Sequence, residues 1–575
     1  TLFDILKSKN LAYPLSLGFY GQNNSFAFFG ANPRSLSTRW SNTPLSDQSV
    51  GSFNLSQFPP EQIENAQIFI GSDAIILSNN SSGAFINFQE SIYNTKTPYS
   101  KLVYSQASDD FIGADLMFAQ NFAKNWNFSI GFRTISSPGR FTNSHIRNTN
   151  LRGTVRYNFD SLTTISLSEN FSNYSAGENG GVDYLNTPDL YDPIASIVML
   201  NSFSESNTRN NLILDFNKLF YNRNFSSALS SKLFFSYKDN KINDGNYIFL
   251  KPADSTISIQ YDDYYFGNST VLENKFGDLN INIGVDAYFS KIQQSKIFDE
   301  QNSFNSSVFE LIKYHLTKKL QISFGTRLVH QYSKAGFSYG GKLEFSPDSN
   351  SKLFLDLSSS KRVPSLIEKN VNAENHLLGI LGFSTKWKSF ELSGQLFARQ
   401  IKNPIIFKYS FDSADSLQNY YISEFVNSST QNIYGLNLNF KLEPIKHFIF
   451  EGFTQLNYSK INNQESKLYP LIYGGISGYY YVNIAKSEAQ VGMDFEFISE
   501  FKGYSYFPGY GGYYSNPYKS NFQNNGINIF ARLKLGNAFV RIEFRNALGS
   551  NYYYVPFYPE LGRHFRLIVN WAFMN

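Results

Sequence analysis

The sequence predicts an all-β membrane protein, a large antiparallel transmembrane β-barrel of about 22 strands. Three observations carry the prediction. Apolar and polar residues alternate over stretches long enough to cross a bilayer. Aromatic residues reach 17% while charged residues stay at 17%, against roughly a quarter charged in soluble proteins. No run approaches the roughly 18 consecutive apolar residues of a membrane helix, and mean hydropathy is −0.31. A barrel crosses a membrane without such a run, because only alternate residues meet lipid.

The alternation is read along the chain from about residue 100. Trp126, Phe128, Ile130 and Phe132 alternate with Asn127, Ser129, Gly131 and Arg133. Leu151, Val155 and Tyr157 alternate with Arg152, Thr154 and Arg156, and after a turn at Asp160 and Ser161 the chain returns with Ile165 and Leu167. The clearest strand is 279–289. Leu279, Ile281, Ile283, Val285, Ala287 and Phe289 share one face, and Asn280, Asn282, Gly284, Asp286 and Tyr288 share the other. Tyr434, Leu436, Leu438 and Phe440 repeat the pattern, as do Val540, Ile542 and Phe544 against Arg541, Glu543 and Arg545. A period of two is strand geometry, and about ten residues is a membrane-crossing length. Charges at mid-strand suit a watery lumen and not the core of a soluble β-sandwich. Roughly 480 residues at roughly 22 per strand and its loops give about 22 strands, although counting alone also admits about 16 or 18 with longer loops.

Other classes find little support. The net charge of +4 carries no basic or acidic block, so nucleic acid is a poor partner. With Cys 0, thiolate chemistry and disulfides are excluded. His145, His315, His330, His376, His447 and His564 show no zinc spacing, and neither a GxSxG elbow nor a phosphate loop occurs. No catalytic, cofactor or metal residues are expected. No signal peptide is visible at Thr1, so the chain is expected to be mature or trimmed.

Three segments resemble the TonB-dependent receptor family. Residues 58–88, FPPEQIENAQIFIGSDAIILSNNSSGAFINF, are similar to the end of that family's plug, with Ile63, Glu64, Ile68, Gly71, Gly83, Ile86 and Asn87 at matching places. This stretch reads as a short strand near Gln67–Ile70, a glycine turn, a loop and a second strand Ala84–Phe88. KRVPSLIEKN and the stretch that follows it resemble the family's "FRAPSLxEL" passage and its hairpin, through Pro364, Ser365, Leu366 and Arg399–Ile405. The C-terminus is similar to "NLFNxxYxxxxxYPxPGRxFxxGxxxxF", through Asn546, Leu548, Tyr552, Tyr558, Pro559, Gly562, Arg563, Phe565 and Phe573. Its last strand sets Phe565, Leu567, Val569, Trp571 and Phe573 toward lipid, and Gly562, Arg563, Phe565, Trp571 and Phe573 resemble the signal read by the barrel-assembly machinery.

The resemblance implies an abbreviated α/β plug over residues 1–90 in the lumen of a barrel over residues 91–575. It also implies an outer-membrane receptor of a Gram-negative bacterium that takes up a scarce solute: a metal chelate, an oligosaccharide or a peptide. Implied partners are outer-membrane lipid, the barrel-assembly machinery, TonB where a TonB box is present, and a surface or periplasmic accessory protein. The pattern departs from the family in two places. Leu17–Gly18 and Ser41–Asn42 stand where the family has "RG" and "DG", and no TonB box precedes TLFDILKSKN, which resembles the plug's first helix. A passive porin, the scaffold of a surface or secretion complex, and an adhesin are the alternatives. Four lumen arginines, Arg152, Arg156, Arg327 and Arg541, are expected to help hold the plug.

Two further clusters attract attention. Tyr504, Tyr506, Tyr510, Tyr513 and Tyr514, in YSYFPGYGGYYSNPY, could stack on a sugar or an aromatic chelate, or could form an interfacial belt and turn. Asp262, Asp263, Tyr264 and Tyr265 read as a loop with paired carboxylates, either a cation site or simply solvated.

Overall fold

A computed structural model describes residues 1–575 except 184–185, 223–224, 251–255, 413–419, 485–486, 517–523 and 574–575. Pro517 and Tyr518 of the tyrosine run, and the terminal Met574 and Asn575, lie outside the described residues. From Tyr99 onward the chain is a closed antiparallel barrel of 22 strands, with a short Gln464–Ser466 extension on one hairpin. The last strand, His564–Phe573, closes the ring against the first, Tyr99–Ala107, with Phe573 opposite Ser100 and Leu567 opposite Gln106.

The alternation read from sequence is the alternation of the wall. On the strand Leu279–Ile292, Ile283 and Val285 stand 41% and 42% exposed on the outer face, while Asp286 and Tyr288 are buried inside. The outer face carries Leu151, Val155, Leu328, Leu357, Leu381 and Phe565, and the inner face carries Asn150, Arg152, Arg327 and Arg399. At one end the strands are joined by tight turns, such as 277–278, 318–319, 388–389 and 536–537. Gly277 has φ +58 and open space around it, so the turn conformation alone calls for glycine there. Longer segments join the strands at the other end, including 178–202, 363–373 and 546–563.

Residues before Tyr99 stand apart from the ring. The helix Leu2–Lys7 is capped by Thr1 and Asp4. A four-stranded sheet runs in the order Thr43–Pro44, Leu36–Trp40, Ala84–Glu90, Ile63–Phe69, with Leu36–Trp40 parallel to Ala84–Glu90. Ser41 and Asn42 turn the first pair with φ 48 and 67, a left-handed pair that Asn tolerates well.

Two expectations need correction. The stretch expected as a glycine turn and loop after the strand is a helix, Gly71–Leu77, preceded by a strand Ile63–Phe69 longer than expected. The helix forms because Ile75 and Ile76 pack on Phe309 and Leu311 of the wall, and because Asp356 of the wall accepts from Ser72 N and Ser72 Oγ at 2.9 Å each. Neither partner is near in sequence. Asp262–Tyr265 is not a loop but part of the strand Ser258–Phe276, with Asp263 turned inward to accept from Ser49 N at 3.1 Å.

Candidate functional site

The lumen is the candidate site, and most residues from Thr1 to Glu90 are buried or half-buried, packing against inward-facing residues of the wall. Their core is shared with the wall: Leu36, Trp40, Phe58, Ile86 and Phe88 pack in one cluster with Ile213, Phe234, Tyr288, Ile380, Phe397 and Ile433 of the barrel, and Ile63, Ile68 and Ile70 pack against it. Buried charges then fix the segment. Arg39 donates to both oxygens of Asp286 at 3.2 and 2.8 Å, and Arg327 donates to the same carboxylate, to Asn79 Oδ1 and to Ile76 O. Asp47 pairs with Lys238 at 2.7 Å and with Arg209. Glu90 accepts from Thr154 and Ser168, and Asp73 lies 3.3 Å from Lys313. Buried charges of this kind are tolerated only when paired and hydrogen-bonded, so each pair specifies where the segment sits.

Of the four arginines expected to hold the segment, Arg327 does so. Arg152 instead pairs within the wall to Asp115 at 2.7 Å, and Arg541 pairs within the wall to Glu543. Arg156 lies half-buried near Glu90.

The long-loop end is closed by aromatic packing. The hairpin Tyr504–Phe507 and Gly512–Ser515 folds inward. Tyr506 and Tyr513 join Tyr13, Leu15, Tyr469, Tyr473, Tyr554 and Tyr558 in one cluster, with Tyr504 packed against it. Tyr514 joins Phe407 and Phe507 in a second, with Tyr510 packed against it. The tyrosines singled out in the sequence are therefore brought together, but as packing between loops and the N-terminal segment.

Arg34 ties that packing down. It donates to Val50 O at 3.0 Å and to Tyr510 O, lies 3.4 Å from Glu368, and stands 4.4 Å over the Phe425 ring. Glu368 in turn takes Arg362 on both oxygens at 2.9 Å and accepts from Ser365 N at 2.8 Å. Burial opposes the charge on Glu368, yet Arg362 and Arg34 outweigh it and hold the carboxyl below the usual glutamate range. The chain of charge continues from Arg362 to Glu374 at 2.6 Å and from Glu374 to His376 at 3.0 Å, with Arg399 Nη1 donating to His376 Nδ1 at 3.2 Å. Because Arg399 can only donate, Nδ1 is the acceptor and the other ring nitrogen donates to Glu374.

The other side of the lumen holds a cavity of about 1090 Å³. It lies between the helix Leu2–Lys7 and the wall, and reaches the short-turn end at Asn350, Lys386 and Lys441. Asp494, Glu496, Arg532, Arg541, Glu543 and Arg566 line its flank.

The remaining residues singled out in the sequence fall into two groups. Ile86 and Asn87 pair with Ile68 and Gln67 across the small sheet, and Asn87 Oδ1 accepts from Asn42 N at 2.8 Å. Gly71 has φ +58 and presents its backbone to the Asp356 carboxylate, which lies 2.7 Å from where a Cβ would stand. Gly83 donates to Ser35 O at 2.8 Å, and Glu64 is exposed. At the C-terminus, Gly562 and Arg563 are exposed, with Arg563 donating to Ala547 O and Leu548 O. Phe565 and Trp571 stand outward, and the Phe573 ring lies 5.4 Å from that of Trp571. The sequence reading missed Arg34 and Arg39. Their only local signal was charge in a segment otherwise rich in Ser, Asn and Phe.

A family model described as "Putative porin" matches residues 54–575. The chain belongs to this porin family. No curated protein matches the sequence. Among solved structures, the chain is similar to the copper transporter OprC, with a TM-score of 0.81 and 13% identity over 100% of this chain and 95% of that one. The FrpB iron transporter from Neisseria meningitidis aligns with a TM-score of 0.76 and 12% identity over 100% and 96% of the two chains. The ferric enterobactin receptor of Pseudomonas aeruginosa gives a TM-score of 0.76 and 13% identity over 100% and 96%. At these identities the likeness establishes the fold alone, a closed antiparallel barrel of 22 strands. Bacterial outer-membrane barrels in general place their short turns at the periplasm and their longer loops outside.

Proposed function

We propose that this chain is a gated outer-membrane transporter in which residues 1–90 act as the plug of a barrel formed by residues 91–575. One observation carries the reading: the N-terminal segment is bound to the wall by buried ion pairs at Asp286, Arg209 and Lys238, and the tyrosine hairpin packs against it at the long-loop end. The solute is a scarce one, a metal chelate, an oligosaccharide or a peptide. The structural neighbours are a copper transporter, an iron transporter and a ferric enterobactin receptor, which supports a chelate. Capture by the outer loops precedes movement of the segment, driven by inner-membrane energy through TonB. The C-terminal strand with Trp571 and Phe573 serves recognition by the barrel-assembly machinery.

A passive porin is the second reading, favoured by the family description and by the cavity beside the segment. Two measurements separate them. Uptake of the solute into cells should collapse when the proton-motive force is discharged. Planar-bilayer conductance should be small for the intact chain and rise severalfold on deletion of residues 1–88. High conductance unchanged by the deletion, with uptake indifferent to the proton-motive force, would establish the porin.

A further inference from the structure

We propose that Arg532 and Arg541 form a binding station for an anionic group, carboxylate or phosphate, on the wall of the lumen cavity. The two residues face each other directly across neighbouring strands, Asn524–Leu535 and Ala538–Arg545. Like charges directly opposite in a ladder repel. Here they also converge: the Arg532 and Arg541 guanidinium carbons lie 4.4 and 5.9 Å from the centre of the same Phe530 ring.

The acids nearby do not balance them. Arg541 pairs with Glu543, but Glu543 also lies 3.9 Å from Arg566, which reaches Asp4 at 3.1 Å. Among the described residues Arg532 pairs with no carboxylate, and its hydrogen bond goes to Gln490 Oε1 at 3.4 Å. Asp494 lies near both arginines and accepts from Ser477 Oγ at 2.6 Å, but it is a single carboxylate shared between them. Arg532, Arg541, Arg545 and Arg566 thus outnumber Asp4, Asp494 and Glu543, and Asp4 is also shared with the Thr1 ammonium, while Glu496 is held by Lys7.

The donors are also unfilled. Nε of Arg532, of Arg541 and of Arg566 is buried with no hydrogen-bond partner, and all three arginines line the one cavity. Buried N–H groups are rarely left so. A planar oxyanion in the cavity accepts several guanidinium N–H groups at once and cancels the repulsion between them. At about 1090 Å³ the cavity admits a metabolite-sized anion. It reaches the short-turn end, so a small anion enters without the outer hairpin moving.

The inference rests on the proposed function only in taking the bound group to be part of a solute in transit; the binding itself does not depend on transport. The test is calorimetric titration of the full chain in detergent with inorganic phosphate, with citrate, and with choline. Phosphate or citrate should bind and choline should not, and the stronger of the two anions names the group. Arg532→Gln with Arg541→Gln should weaken binding at least tenfold, whereas Lys386→Gln at the cavity rim should leave it unchanged. Arg532→Gln alone decides the matter if the double variant does not fold. It relieves the repulsion, so without anion it should melt no lower than the parent, and phosphate or citrate should raise its melting temperature less. An Arg532→Lys, Arg541→Lys pair should bind with intermediate affinity, since charge is kept and the planar fork is lost. No anion binding by the parent chain, equal affinity in the folded Gln variants, or a lowered melting temperature for Arg532→Gln would overturn the site. Loss of energised uptake with anion binding intact would instead count against the transporter.

Discussion

The two sides of the lumen treat charge differently. On the side facing the small sheet, Asp286 is enclosed by Arg39 and Arg327, and Asp47 by Arg209 and Lys238, each side chain less than about one-eighth exposed. On the side facing the helix Leu2–Lys7, charges stand along a cavity, with Arg541 31% exposed and Lys386 and Glu391 64% and 46% exposed. The same residue types serve as fixed anchors on one side and as a solvated lining on the other. What separates them is how closely the N-terminal segment packs: on the cavity side Asp4 still reaches Arg566 and Lys7 reaches Glu496, but much of the wall beside them faces open space. A short segment can fix itself in a wide barrel by packing its small sheet closely on one flank, while on the other a few ion pairs from its first helix stand beside a cavity.

That contrast can be broken or sharpened by measurement. The largest effect is expected at Asp286. Asp286→Ala leaves Arg39 and Arg327 buried without their carboxylate, which should cost about 3–5 kcal/mol. Denaturant unfolding of the detergent-solubilised chain reads it, and a cost below about 1 kcal/mol would mean that the packed side is not anchored there.

The wall's two faces come next. Ile283→Arg places a charge on the lipid face and should cost about 2–4 kcal/mol near mid-membrane. Asn282→Arg, its inward neighbour, should cost far less. Equal penalties would contradict the outward placement of Ile283.

A third test concerns the outer latch. The Glu368 carboxyl is held below its usual value of 4.5, so its contribution is complete above that value and is lost as the pH falls through the lower folded value. Protease nicking of the 363–373 and 499–516 loops should rise on acidification to below the ordinary glutamate value. Glu368→Gln should make the loops open at neutral pH and remove most of the acid response. Unchanged protection in that variant would show that aromatic packing alone holds the loops.

The smallest effect belongs to the open side. Lys386 and Glu391 form an exposed pair at 2.6 Å, and Lys386→Ala should change stability by less than about 1 kcal/mol. A cost like that of Asp286→Ala would erase the distinction between the two flanks.

Much of the wall was legible in the sequence because strand faces alternate with a period of two, a local property. The pattern at 279–289 assigned Ile283 outward and Asp286 inward, as found. The tyrosine run at 504–514 was visible as a cluster but not as a lid, because its partners Tyr13, Tyr469 and Tyr558 come from distant segments. The helix Gly71–Leu77 was hidden by its flanking glycines and short length. Its apolar face and its terminal acceptor belong to Phe309, Leu311 and Asp356 of the wall.

The sequence by itself determined the barrel and which face meets lipid on strands such as 279–289, since polarity and strand length are read within a dozen positions; chain length suggested about 22 strands but also admitted fewer, and the closed ring decided the number. Only the tertiary structure decided which charges meet. Arg39 and Asp286 are 247 positions apart, and Arg34 and Glu368 are 334 apart. A charge on an inward face is equally suited to water, to an ion pair or to a ligand, and the choice among them is made by whatever the folded chain brings opposite.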